Sequence, residues 1–165
     1  MSNRTLQAAA VGGALFCTTA VIDDLGAASI ARLSITGAAL AAAAACDLAE
    51  RRIPNRVTVP AALALLILLA ATGTAFARVA GGLAVAGLLL GIGVLRPRAI
   101  GMGDAKLALV VALGLTDKAL IGLASGFVLA AIFATDRIAR GSSIRGAAVP
   151  LGPFLGLGAL IALLA

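Results

Sequence analysis

Seven long apolar runs, separated by short charged segments, take up nearly all of this 165-residue chain. They lie at roughly 6–22, 26–46, 57–76, 79–95, 102–115, 118–134 and 147–165. A helix of about 20 residues crosses the hydrocarbon of a bilayer, and in lipid each segment must satisfy its own backbone N–H and C=O groups. The predicted fold class is therefore all-α: a polytopic integral membrane protein of about seven transmembrane helices, with residues 1–165 forming a single membrane domain. A hydrophobic fraction of 62% and a mean hydropathy of +1.14 fit this reading, since soluble domains run at roughly 45–50% apolar. No room is left for a soluble domain.

The interruptions carry the charge, and their alternation sets the topology. Placing alternate loops on alternate sides collects Arg4, Arg51, Arg52, Arg56, Arg96, Arg98, Lys106, Arg137, Arg140 and Arg145 on one side, ten of the thirteen basic residues. An excess of Lys and Arg marks the cytoplasmic face, so the N-terminus is expected inside and the C-terminus outside. Arg32, Arg78 and Lys118 fall towards the other side, with Arg32 near enough to its helix start to snorkel outward. Topology explains the net charge of +6 better than nucleic acid does, because the cations are scattered and the chain has no Tyr or Trp to stack on bases. The apolar stretch after Arg4 imitates a signal peptide, but Phe16 is too bulky for the cleavage position before Cys17, and the stretch is read as a retained first span. Cys17 and Cys46 both sit in apolar runs, outside any CxxC or Cys/His cluster. They are read as small apolar fillers, with no metal, cofactor or disulfide expected.

Small residues mark where helices can approach closely, because association in lipid rests on tight packing. Gly87 and Gly91, Gly122 and Gly126, and Gly152 and Gly156 have GxxxG spacing, and Ala41 to Ala45 leave the second helix narrow just before Asp47. No repeat or low-complexity linker is present, and Gly141 to Ser143 form a short polar loop.

Five of the seven acids have ordinary explanations. Asp23, Asp24 and Asp117 lie in outer loops, while Glu50 and Asp136 lie in basic loops where ion pairing suffices. Asp47 and Asp104 remain, each beside an apolar span and both on the cytoplasmic boundary although 57 positions apart. A carboxylate at the edge of hydrocarbon is costly and calls for a reason. Pro54 breaks the chain after Asp47 by driving its predecessor out of helical geometry. Gly101 and Gly103 allow the backbone around Asp104 to make close approaches. The bland alternative is that each acid caps a helix or pairs locally, Asp47 with Arg51 and Asp104 with Lys106 or Arg98.

The segment DLAERRIPNRVT from Asp47 to Thr58 resembles the first motif of the type IV prepilin peptidases, and GMGDAKL from Gly101 to Leu107 resembles their GxGDxKL motif. VPLGPFLG, from Val149 to Gly156, is similar to the Pro-Gly-Pro stretch that opens the family's last helix. The resemblance implies an aspartic endopeptidase of the inner membrane that removes the basic leader of a prepilin or pseudopilin precursor at the cytoplasmic face. Asp47 and Asp104 would be its catalytic pair, supported by Pro54, Asn55, Gly101, Gly103, Lys106, Pro150, Gly152 and Pro153. It also implies the compact form, because the paired CxxC motifs of the N-methylating members are missing from the sequence. Presenilin-like proteases share GxGD, but this chain has no tyrosine and reads Val149-Pro150-Leu151 where they have Pro-Ala-Leu.

Two carboxyl groups can hydrolyse an amide if one is ionised and takes a proton from water while the other is protonated and polarises the carbonyl. By helix dipoles alone, Asp47 at a C-terminus is expected to be the acid and Asp104 near an N-terminus the base, with Arg51 working against this. The rival readings are a proton-coupled transporter and a structural subunit. A transporter predicts acids near the bilayer midplane.

Overall fold

Hydropathy dictates the elements closely. The structure, a computed structural model, describes residues 3–22, 26–96, 101–141 and 149–165; in the first helix the side chains described are those of Thr5 and residues 7–16. Asp23, Asp24, Arg98 and Arg145, with the side chains of Arg4 and Cys17, lie outside this set, as do residues 142–143 of the short polar loop. Among the described residues seven α-helices correspond to the seven apolar runs: α1 Asn3–Ile22, α2 Ala27–Glu50, α3 Asn55–Ala71, α4 Phe76–Leu95, α5 Met102–Leu115, α6 Ala119–Ala139 and α7 Leu151–Leu164. The described residues contain no strand. Three stretches are long and apolar enough to cross a membrane, namely Ala27–Glu50, Phe76–Leu95 and Met102–Ala139. Asn55–Ala71 and Leu151–Leu164 are shorter apolar helices.

The third stretch is broken. Thr116 has φ 49° and ψ −113°, which no α-helix accommodates, and a 3₁₀ turn, Thr116–Lys118, redirects the chain so that α6 packs back against α5. A β-branched residue at positive φ is strained. The Arg32 guanidinium donates a 2.7 Å hydrogen bond to the Thr116 hydroxyl and so helps hold the turn.

The fold is built around α5. From Ala105 to Thr116 only Lys106 and Leu109 are more than slightly exposed, and α2, α3, α4, α6 and α7 all pack on this helix. A helix that is apolar all round belongs in an interior. Leu107, Val111 and Leu115 join one core with Leu40, Leu123 and Leu155. Val110 and Leu113 join a second with Val57, Leu65 and Leu69. Outward faces carry exposed Leu63, Ile67, Leu88, Val128 and Ile132, as a lipid-facing surface requires.

Helices cross where small residues let them. A Cβ placed on Gly122 would lie 2.7 Å from the Leu115 side chain and 3.5 Å from Ala159 Cα, and one on Gly126 would lie 3.0 Å from the Phe154 carbonyl. The expected Gly122/Gly126 pair therefore forms the α6–α7 crossing, facing Gly158. Gly87, Gly91 and Gly156 have none of the described residues packed over them.

Candidate active site

Asp47 is set by the way α2 ends. The helix runs to Glu50 rather than stopping at residue 46, since Leu48, Ala49 and Glu50 are compatible with one more turn. It closes at Arg51, in the left-handed region at φ 51°, whose N–H still bonds the Asp47 carbonyl. Asp47 therefore sits inside the last turn, where the helix fixes its direction, and is only 6% exposed. Pro54 then occupies the N-cap of α3, and four residues, 51–54, separate the two helices.

Asp104 is the third residue of α5 and half-buried. Both carboxyl groups line one cavity of about 350 Å³, walled by Arg51, Arg52, Ile53, Gly101, Gly103, Val149 and Pro150. They are close enough for the charge of one to act on the other.

A contact 105 residues away in sequence holds Asp47. The Gly152 N–H, in the first turn of α7, donates a 2.9 Å hydrogen bond to Asp47 Oδ2. The first N–H groups of a helix have no partner within it. Pro153 has no N–H to offer, so Asp47 takes one of the few donors left at this end. Asp47 thus lies both at the negative end of α2 and at the positive end of α7. Helix dipoles, from which Asp47 is expected to be the acid and Asp104 the base, do not by themselves decide which aspartate holds the proton.

The motif glycines stand where a side chain would collide. A Cβ on Gly101 would lie 2.8 Å from Asp104 Oδ2, one on Gly103 would lie 2.9 Å from Ile53 Cβ, and one on Gly152 would lie 3.2 Å from Asp47 Oδ2. Each marks an approach of backbone to a carboxylate or to the link beside it. Ala44 packs against the same turn of α7, its Cα 3.3 Å from the Gly152 Cβ position. The narrow alanine surface expected on α2 is therefore where α7 docks.

Among the described residues local pairing does not account for the two acids; the Asp104–Arg98 pair lies outside those residues. Lys106 donates through Nζ to Asn55 Oδ1 at 2.8 Å, tying the first turn of α5 to the first residue of α3 instead of neutralising Asp104. Among the described residues neither aspartate forms an ion pair. Salt bridges occur elsewhere, between Arg78 and Asp117 at 2.5 Å and between Arg140 and Asp136 at 2.9 Å. Pro54 and Pro150 cap α3 and α7 in extended geometry, and Pro153 lies in the first turn of α7. All the expected supporting residues thus gather at this end of the bundle. Arg51, Arg52, Ile53 and Val149 were not anticipated as cavity walls; their only sequence signal is that they lie within the motif segments.

These features define a class: an all-helical membrane protein whose helix ends enclose a cleft bearing two carboxyl groups. The chain belongs to the type IV leader peptidase family, whose model matches residues 34–137, a span that holds both aspartate motifs. It is accordingly a peptidase. No curated protein and no solved structure matches it.

Proposed function

We propose that this chain is an aspartic endopeptidase that cleaves the leader from prepilin or pseudopilin precursors, with Asp47 and Asp104 as a dyad activating one water. The observation that carries this reading is that both carboxyl groups line one cleft, free of ion pairs among the described residues, with Asp47 held by the Gly152 N–H. The ionised acid takes a proton from water as the water attacks the scissile carbonyl. Its protonated partner donates to the developing oxyanion, and a proton then passes to the departing amine as the C–N bond breaks. Two adjacent carboxyl groups resist double ionisation, so the pair keeps one proton over a broad pH range. A cleft of about 350 Å³ falls at the small end of ligand sites, which run from about 300 to 1,000 Å³. It suits a short extended stretch of peptide.

The enzyme is read as a multi-pass protein of the inner membrane with seven spans, its N-terminus and cleft on the cytoplasmic side. Arg51, Arg52, Arg56, Arg96 and Lys106 belong to the helix ends around the cleft, while Arg32, Arg78 and Lys118 belong to the opposite end, and an excess of cations favours the cytoplasmic face. Because two guanidinium groups line the cleft, a leader bearing Lys or Arg is accommodated outside it. The membrane helix of the precursor docks laterally.

Expressing the protein with a prepilin and following the precursor on a gel tests the reading. The wild type shortens the precursor, and Asp47→Ala and Asp104→Ala each abolish shortening. A transporter or structural subunit leaves the precursor intact in every case. Normal cleavage by both alanine variants would overturn the proposal.

A further inference from the structure

We infer that the end of the bundle opposite the carboxylate cleft binds a phosphate-type oxyanion, held by the guanidinium groups of Arg32 and Arg78. Between the start of α2, the end of α3 and the start of α4 lies a hollow of about 150 Å³, lined by Ser29, Arg32, Thr72, Thr74 and Arg78 together with two apolar residues. Its lining holds two cations and three hydroxyl groups and no carboxylate.

Among the described residues the charge around the hollow is unbalanced. Arg32 is half-buried, and its hydrogen bond goes to the neutral hydroxyl of Thr116. Among the described residues no carboxylate lies within salt-bridge distance of it. Arg78 binds Asp117 through Nε and Nη2, both to the same oxygen. Among the described residues two arginines against one aspartate leave a net charge of +1, and neighbouring Lys118 adds to it; Asp23 and Asp24, which precede α2, lie outside those residues. Asp117, already bound by Arg78, acts on Arg32 without forming a salt bridge to it, and a partly desolvated guanidinium with no ion pair of its own is unfavourable, whereas an oxyanion satisfies its forked donors two at a time.

Position indicates where such an anion is met. The site lies at the ends of two helices long enough to cross a bilayer, α2 and α4, so it falls at the depth of lipid headgroups. Basic pockets between transmembrane helices capture lipid phosphates by the same chemistry. A phosphodiester headgroup and free phosphate share the recognised group.

The test uses the whole protein in neutral detergent, titrated with phosphatidylglycerol, with diacylglycerol of the same chains, or with inorganic phosphate. Binding is read by native mass spectrometry and by the shift in melting temperature. Phosphatidylglycerol is expected to bind the wild type about tenfold more tightly than it binds Arg32→Gln, the worth of one charge-assisted hydrogen bond. Diacylglycerol is expected to show no such difference. Stabilisation by inorganic phosphate alone identifies a free anion as sufficient; stabilisation by the lipid alone identifies the headgroup. Arg32→Lys keeps the charge, and hence the fold, but loses the planar fork, so its affinity drops to an intermediate value. Equal affinity of the wild type and Arg32→Lys for both phosphate-bearing probes overturns the inference. So does an equal loss in Arg137→Gln, at the other end of the molecule.

Discussion

Replacing Gly101 by alanine separates positioning of the Asp104 carboxylate from stability of the fold. The new methyl group would lie 2.8 Å from Asp104 Oδ2, well inside an ordinary contact of about 3.5 Å. Something must move by roughly 0.7 Å, and the obstacle is the tip of a rotatable side chain. Gly101 has φ −64° and ψ 131°, which alanine adopts without strain. Loss of a glycine stiffens the unfolded chain and stabilises by about 0.4–1 kcal/mol, while alanine is a poorer N-cap than glycine and gives back a similar amount. Net stability should stay within about 1 kcal/mol of wild type by this balance. Activity should not, since a misplacement near 1 Å costs about a hundredfold in rate. A fall in cleavage rate on the order of 10- to 100-fold is therefore expected with an almost unchanged melting temperature. Gly103→Ala supplies the contrast, because its methyl would meet Ile53 Cβ at 2.9 Å and the Ile53 carbonyl at 3.3 Å. Those atoms belong to the link 51–54 and yield only if backbone moves, so that variant loses stability as well as activity. Paired cleavage kinetics and thermal unfolding check both. A Gly101→Ala enzyme that cleaves at full rate would refute the reasoning, and so would one that loses activity and stability together.

Gly152→Ala, whose methyl would press on Asp47 and on Ala44, is expected to lengthen the Gly152 N–H contact, lower the cleavage rate and cost about 1–3 kcal/mol through a weakened buried hydrogen bond, read by thermal unfolding. The Lys106–Asn55 bond is exposed; a double-mutant cycle with Lys106→Met and Asn55→Ala should show a coupling of about 0.5–1.5 kcal/mol and a several-fold loss of activity. The cleavage rate should follow a bell in pH. At low pH both acids are protonated and no base remains, at high pH both are ionised and no acid remains, and a rate that climbs steadily with pH would exclude the paired mechanism.

The helices were largely legible because their cause is local. In lipid a run of about 20 apolar residues has no alternative to helix, so the seven runs mark seven elements. Boundaries moved where charged residues were compatible with helix: α2 continues through Asp47 to Glu50, which turns a residue expected at a helix end into one held inside the last turn. The break between α5 and α6 was legible from Asp117 and Lys118, although the strained geometry of Thr116 was not. Among the candidate crossings, Gly122 and Gly126 found a partner in α7 while Gly87 and Gly91 found none among the described residues. Spacing alone does not say what packs opposite.

The sequence by itself determined which segments are helical and that Asp47 and Asp104 stand apart from the other acids, because hydropathy and charge act on each segment independently. Only the tertiary structure decided that Gly152 bonds Asp47, that Lys106 reaches Asn55 and that Arg32 turns to Thr116. Apolar helices are nearly interchangeable as neighbours in lipid, and the choice among them falls to close packing of small residues, which is a property of surfaces meeting and not of any one run.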